Sequence, residues 1–348
     1  MPSKTAVNRN LHAAKRNKQD EFYTQLSDIE NELRHYKSHF QGKTVYCNCD
    51  DPKISNFFKY FFLNFDFLGL RKLITTCYQN QNYDLFSQHE AEKSVGLIYS
   101  RRKGGGAPVE HDINVFNMEG DGDFRSKEAI DLLKQSDIVV TNPPFSLFRE
   151  YVDQLIEHDK EFLIIGNVNA LSYKEVFPLV RDNRIWLGPS ITSGDREFGV
   201  PDHYPLTAAT HRIDEDGNKF IRVKGVRWFT NLDHAKRHED LILYRKYTSK
   251  DYPTYDNYDA IEVSKTKDIP ADYLGAMGVP ITFLDKYSPD QFEILGITDR
   301  DNNSGLKTKE YTVADVPNPG DLNRRAAIRV GGELKSTYAR LLVRRVSP

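Results

Sequence analysis

The sequence predicts an α/β fold, a doubly wound and mostly parallel sheet, followed by a smaller α+β region. Short apolar runs alternate with stretches of helical period over the first two thirds of the chain, the pattern of strands joined by crossover helices. Beyond about residue 233 the texture changes to dense Tyr, Asp, Pro and Gly broken by short apolar runs. A length of 348 residues accommodates one large domain and a smaller unit.

In chain order, Asp28 to Tyr36 reads as a short helix with Ile29, Leu33 and Tyr36 on one face, and Thr44 to Cys49 as the first buried strand. Phe58, Phe61 or Phe62, and Phe65 recur at helical spacing, which predicts a core helix packed on the sheet. Leu73 to Tyr78 reads as a strand and Gln79 to Gln88 as a loop. Ser94 to Ser100 and Asp112 to Asn117 suit a hairpin around the basic loop Arg101-Arg102-Lys103-Gly104-Gly105-Gly106, which serves either as a nucleic-acid contact or as a plain solvent-facing turn. A helix over Glu128 to Gln135, a strand over Ile138 to Thr141, a helix bearing Phe148, Tyr151, Val152, Leu155 and Ile156, and strands at Phe162 to Ile165 and Ile185 to Leu187 follow. In the C-terminal region the strand candidates are Ile281 to Leu284, Phe292 to Gly296 and Arg340 to Val346.

Composition removes several function classes. A formal charge of −2 excludes a uniformly basic nucleic-acid coat, so any such surface is local. Residues 1–19 read as a basic flexible arm, with Lys4, Arg9, Lys15, Arg16 and Lys18 and no acid. The C-terminal segment carries Arg324, Arg325, Arg329, Lys335, Arg340, Arg344 and Arg345 against Glu333 alone. Each segment suits either phosphate binding or a solvated face. Cys47, Cys49 and Cys77 lie in strand-like runs without a partner pair at zinc spacing, so buried thiols are expected, with no disulfide framework and no metal. The longest aromatic run, Phe57 to Leu70, is interrupted by Lys59, Asn64 and Asp66, and no signal-peptide core appears. A soluble cytoplasmic protein with no membrane partner is expected.

The most informative stretch is Asn142-Pro143-Pro144-Phe145, at the carboxyl end of the Ile138 to Thr141 strand, where open α/β sheets bind ligands. An exocyclic amine on a nucleobase is a poor nucleophile, because its lone pair is delocalised into the ring. The Asn142 side-chain oxygen and the Pro143 carbonyl can converge on its two N–H bonds, with both prolines stiffening the turn. Positive charge developing on nitrogen during attack on a methyl sulfonium then meets preorganised dipoles, and Phe145 offers a face for stacking. The bland alternative is a rigid turn leading to a helix capped by Ser146.

The turn after the first strand, Asn48-Cys49-Asp50-Asp51-Pro52-Lys53-Ile54-Ser55-Asn56, lacks a Gly-rich loop, which disfavours a dinucleotide pyrophosphate. Paired carboxylates suit a zwitterion instead: Asp50 or Asp51 accepts from an α-ammonium group and Ser55 or Asn56 bonds a carboxylate, unless Asp50 or Asp51 merely caps the helix. In Gly120-Asp121-Gly122-Asp123-Phe124, Asp123 suits an adenine amino group and Phe124 its ring, or the turn is only acidic surface.

Taken in order, Asp20-Glu21-Phe22-Tyr23-Thr24-Gln25, Cys47-Asn48-Cys49-Asp50-Asp51-Pro52, Gly122-Asp123-Phe124, Asn142-Pro143-Pro144-Phe145, Trp228-Phe229-Thr230-Asn231 and Gln291-Phe292-Glu293-Ile294-Leu295-Gly296 resemble the EcoRI-type adenine-specific DNA methyltransferases, over most of the chain. The resemblance implies a Rossmann-like methyltransferase domain at 20–232 and a DNA target-recognition region at 233–348. It also implies S-adenosylmethionine as donor, an adenine flipped out of duplex DNA as acceptor, and a restriction-modification or phage and plasmid setting, with any cognate restriction endonuclease acting separately. Phe22, Tyr23 and Thr24 are implied to close over the cofactor, and Trp228 or Phe229 to supply the second face for the base, a hydrophobic strand end being the alternative. Thr75-Thr76-Cys77-Tyr78 stands where such enzymes carry an acidic ribose ligand, so the resemblance names none here. Alternatives are methylation of cytosine N4 or an RNA base, or an idle nucleic-acid-binding domain; Asn rather than Ser at position 142 favours adenine.

Overall fold

The computed structural model describes residues 22–49, 55–78, 94–100, 110–200, 204, 206, 211–299 and 302–346. The basic arm, Asp20, Glu21, Asp50, Asp51 and the basic loop 101–106 lie outside the described residues.

The first half builds the predicted alternation. After the short strand β1 (Tyr23–Thr24) and helix α1 (Leu26–Leu33) comes β2 (Thr44–Cys47), every residue of which is buried. Helix α2 (Asn56–Leu63) starts where Ser55 Oγ accepts from the backbone N–H groups of Phe57 and Phe58 at 3.1 and 3.4 Å, satisfying donors that the first helical turn leaves open. Its Phe58, Phe61 and Phe62 are buried as the spacing predicts, Phe57 and Tyr60 are buried as well, and Phe65 falls in the next helix rather than this one. The one-turn helix α3 (Phe65–Leu68) stops at Gly69, whose φ of +65° forms a left-handed cap.

Then follow β3 (Lys72–Thr76), the hairpin strands β4 (Val95–Ser100) and β5 (Asn114–Asn117), and α4 (Lys127–Gln135) with Ser126 as N-cap. Strand β6 (Ile138–Thr141), α5 (Phe148–Glu157), β7 (Glu161–Asn167), α6 (Phe177–Arg181) and β8 (Trp186–Leu187) complete the alternation. Strands β9 (Asp195–Val200), β10 (His211–Ile213), β11 (Lys219–Lys224) and β12 (Val226–Thr230) come next.

The chain divides into two compact units. One runs to Val168 and adds Ser193–Asp233; the other joins Asn169–Thr192 to His234 and beyond, so a segment from the middle of the sequence belongs with the C-terminal half.

In the first unit the main sheet runs β5-β4-β3-β2-β6-β7-β12. The pairings β2 with β3, β2 with β6 and β6 with β7 are parallel, whereas β3 with β4, β4 with β5 and β7 with β12 are antiparallel. The expected mostly parallel sheet is therefore a mixed one: a parallel centre with antiparallel edges. Apolar periodicity does not report strand direction, since a buried run looks alike in parallel and antiparallel pairs. The centre is buried through Val45, Tyr46, Leu73, Ile74, Ile138 to Val140 and Phe162 to Ile165. A second, four-stranded antiparallel sheet orders β1-β9-β11-β10.

The second unit contains β13 (Ile261–Glu262), β14 (Met277–Pro280), β15 (Phe292–Ile297), α7 (Gly320–Arg324), β16 (Ala327–Val330), β17 (Glu333–Ser336) and β18 (Arg340–Arg345). Its sheet orders β13-β14-β18-β15, and β16 pairs with β17 as a hairpin. Gly331 and Gly332 turn that hairpin with φ of +61° and +86°, angles that side chains disfavour. Ile281 to Leu284 is not a strand. The strand ends at Pro280, which cannot donate to a ladder, and a 3-10 helix over Ile281–Lys286 follows.

The arginines of the C-terminal segment are largely spoken for inside the unit. Arg325 pairs with Asp299, Arg329 with Asp256, Arg340 with Glu262 and Arg344 with Glu293, while Arg345 donates to the Ala271 carbonyl. Among the described residues no helix is long and apolar enough to cross a membrane.

Candidate active site

Strand order reverses at β2, since β3 lies on one side and β6 on the other. The loops leaving the carboxyl ends of two such neighbours diverge and open a crevice. Val45 and Tyr46 pair with Ile138 and Val139, which sets Asn48 and Cys49 beside Thr141 and Asn142. The Cys49 N–H donates to Thr141 Oγ1 at 3.2 Å and ties the two ends together.

Asn142 is 6% exposed. Its Nδ2 donates to the Phe22 carbonyl at 2.7 Å, a bond that fixes the plane of the amide and so the direction of its acceptor oxygen. Pro143 is buried and Phe145 half-buried. The chain then forms a 3-10 turn over Phe145–Leu147 before α5, whose N-cap position is Leu147, so Ser146 does not cap it. The Phe22 ring meets Phe145 edge-on at 5.6 Å, and lies 5.8 Å from the Phe198 ring and 6.2 Å from that of Tyr204. An aromatic surface thus adjoins the polar turn.

At the start of α2, Asn56 Nδ2 donates to the Thr24 carbonyl at 2.7 Å, and Ser55 Oγ is engaged by its own helix. Thr24 is 2% exposed, and its hydroxyl has no hydrogen-bond partner among the described residues. A buried hydroxyl in that condition is costly unless a polar ligand completes it. Gly122, with φ of +77°, lies against the end of β3 so closely that a Cβ would sit 1.9 Å from the Cys77 carbonyl oxygen. That close approach requires glycine and brings the Asp121 to Phe124 turn over the strand end. The Thr24 hydroxyl, beside the start of α2, fits a polar group of a ligand.

Asp123 grips Arg125 bidentately at 2.9 and 2.6 Å, and Arg125 also reaches Glu150 at 3.0 Å. Hydrogen bonding to Asp123 raises the Arg125 pKa further, so this ion pair competes with any amino group offered to Asp123. Phe124 is buried and meets the Tyr151 ring edge-on at 5.0 Å. Tyr151 donates its hydroxyl to Asn48 Oδ1, and its ionisation is pushed well up, first by burial and then by nearby Cys49, so it stays a neutral donor. Cys47 is buried, but Cys49 and Cys77 are partly exposed at strand ends rather than buried as expected. Among the described residues no cluster of His, Cys, Asp and Glu could hold a metal ion.

Trp228 and Phe229 do not lie on this surface. They form the middle of β12, paired with Ile165 and Ile164, at 0% and 1% exposure, and their rings meet those of Phe57 and Phe148 edge-on. Sequence reasoning missed Asn48, Thr141, Tyr151, Phe198 and Tyr204. Asn48 stood in a string read for its carboxylates, and Tyr151 was read only as one of the apolar residues of a helix. For Phe198 no local signal exists, since the pairing of β1 with β9 brings it to Phe22, and Tyr204 lies outside any strand.

A family model described as "Adenine-specific methyltransferase EcoRI" matches residues 10–346. The chain is 58% identical over 306 residues to the type II methyltransferase M.EcoRI of Escherichia coli, covering 86% of this chain and 93% of that protein. It is 40% identical over 291 residues to the type II methyltransferase M.MgeORF184P of Mycoplasma genitalium, covering 82% and 85%. Over 289 residues it is also 40% identical to M.MpnI of Mycoplasma pneumoniae, covering 82% and 84%. No solved structure matches. With a family match across nearly its whole length and a turn that joins Asn142 and Phe145 at a strand switch point, the chain belongs to the EcoRI adenine-specific methyltransferase family.

Proposed function

We propose that the chain transfers the methyl group of S-adenosylmethionine to the exocyclic N6 of an adenine flipped from duplex DNA, as the modification partner of a restriction system. The observation that carries this reading is the Asn142 amide, locked by the Phe22 carbonyl at the carboxyl end of β6. Asn142 Oδ1 and the Pro143 carbonyl accept from the two amine N–H bonds, drawing the nitrogen lone pair out of conjugation. Phe145 stacks on the base, with Phe22 packed edge-on against the Phe145 ring, while Trp228 and Phe229 are buried within β12. The bond dipoles of Asn142 and Pro143 stand ready where positive charge develops, so no proton carrier is needed before attack.

S-adenosylmethionine supplies an electrophilic methyl group when bound. Tyr23, the Thr24 hydroxyl, Asp50 or Asp51, and the Asp123-Phe124 turn are the groups proposed to hold it; Ser55 orders the helix beside it. The relatives' designation as type II methyltransferases supports the restriction-modification setting, with an endonuclease acting as a separate protein. Residues 233–348 are proposed to read the DNA target.

The test is to express the protein in cells lacking adenine methylation and map modified bases at single-nucleotide resolution. N6-methyladenine at one short sequence is expected. N4-methylcytosine, or no modified base, would overturn the reading.

A further inference from the structure

Carbonyls two residues apart on an extended strand point to the same edge. Strand β1 is the outer strand of its sheet, paired on one side with β9 through Tyr23 to Gly199 and Thr24 to Phe198. The carbonyls of Phe22, the residue just before β1, and of Thr24 are taken by two side-chain amides from the main sheet domain, Asn142 and Asn56, each at 2.7 Å. One amide belongs to the proposed catalytic turn and the other to the first residue of α2, beside the proposed cofactor site.

We infer that β1 is a strap joining the cofactor helix to the catalytic turn, with Asn56 a positioning residue that acts through the Thr24 and Phe22 backbone rather than a cofactor ligand. The inference rests on the proposed role of Asn142. The terminal torsion of an asparagine is soft and broadly populated, so Asn142 cannot aim its own oxygen. Its donor end must be held, and the holder is a backbone carbonyl. That carbonyl is only as fixed as β1, which is anchored on one edge by β9 and on the other by Asn56. Removing the Asn56 donor leaves the Thr24 carbonyl unmatched in a buried position and loosens the segment that aims Asn142.

Asn56→Asp separates the roles. A carboxylate in the first helical turn is favourable to the helix, so folding is retained, but the side chain no longer donates and its charge confronts a carbonyl. Expected are a single-turnover methylation rate roughly tenfold to a hundredfold lower at saturating S-adenosylmethionine and DNA, S-adenosylhomocysteine affinity within about threefold of wild type, and faster hydrogen exchange at residues 22–25. Asn56→Gln, which keeps an amide donor, recovers part of the rate, and Asn56→Ala repeats the loss if the aspartate variant fails to fold. A loss of affinity that saturating cofactor cures would make Asn56 a ligand, and an unchanged rate would leave the strap without function; either overturns the inference. Wild-type protein that methylates no adenine would instead remove the reading beneath it.

Discussion

Asn142→Ala separates chemistry from folding at the one residue on which the mechanism turns. The substitution deletes the bond from Nδ2 to the Phe22 carbonyl and the acceptor Oδ1 together. The first loss is one neutral hydrogen bond, worth about 0.5–1.5 kcal/mol net, or about 1–3 kcal/mol if the carbonyl stays buried and unmatched. Against a typical domain stability of about 5–15 kcal/mol the variant remains folded. The second loss falls on the transition state. Removing one preorganised polar group from a water-excluded site costs about 10²- to 10³-fold in rate, or roughly 2.7–4 kcal/mol. Phe145 has a different task, and its variants should sort differently. Phe145→Trp keeps a stacking face and most of the rate, whereas Phe145→Ala loses stacking worth about 1–3 kcal/mol. The assay is single-turnover transfer of labelled methyl to a defined duplex, with thermal melting and S-adenosylhomocysteine binding measured on each variant. A folded Asn142→Ala protein that binds cofactor and methylates at a near-normal rate would refute the electrostatic argument and reduce Asn142 to Phe145 to a turn.

Deleting residues 1–18 should weaken DNA binding and flatten its salt dependence by roughly one unit of slope per lost phosphate contact; an unchanged slope would show that the arm touches no phosphate. Arg340→Met removes the cation from the buried Glu262 carboxylate, leaving it only the hydroxyls of Tyr255 and Ser264, and should destabilise the second unit by about 3–5 kcal/mol. The same change with Glu262→Leu should restore most of the loss in calorimetry. Although burial pushes the Asp256 carboxyl up, hydrogen bonds from Tyr311 and Lys309 and the charge of Arg329 more than offset it and hold the group below the usual carboxylate range. Its stabilisation is therefore present above the unfolded-state value, near about pH 4, and lost as pH falls through the lower folded value. Asp256→Asn should flatten the acid limb of the stability curve, and an identical limb in both proteins would exclude Asp256 from it.

Local periodicity carried much of this fold. The Ile138 to Thr141 strand, the hairpin after Ser94 and the helix of buried phenylalanines each lie in contiguous stretches whose pattern survives any tertiary setting. Strand direction was not legible, because a buried apolar run looks alike in parallel and antiparallel sheets, and the antiparallel edges followed from that. The second sheet was illegible for another reason: β9 and β11 are rich in charge, and β1 meets β9 only through distant pairing. At the site, the Asn142 turn could be found from residue type and position after a strand. The donation from Asn56 to Thr24 could not, since an asparagine after a helix cap reads equally well as a ligand. Nor could counting arginines show that Arg325, Arg329, Arg340 and Arg344 face acids within their own unit.

The pairing of Tyr23 with Gly199 also sets a schedule. A chain leaving the ribosome presents β1 first and Asn142 well before β9, yet the edge on which β1 rests does not exist until residue 200 has emerged. Contacts so far apart in sequence form late, after the local helices and the β4-β5 hairpin. A nascent or truncated chain ending after the proline turn would hold every residue of the catalytic motif without the β9 edge that anchors β1. Activity should therefore arrive in one step, late in synthesis, and fragments that stop short of β9 should be silent.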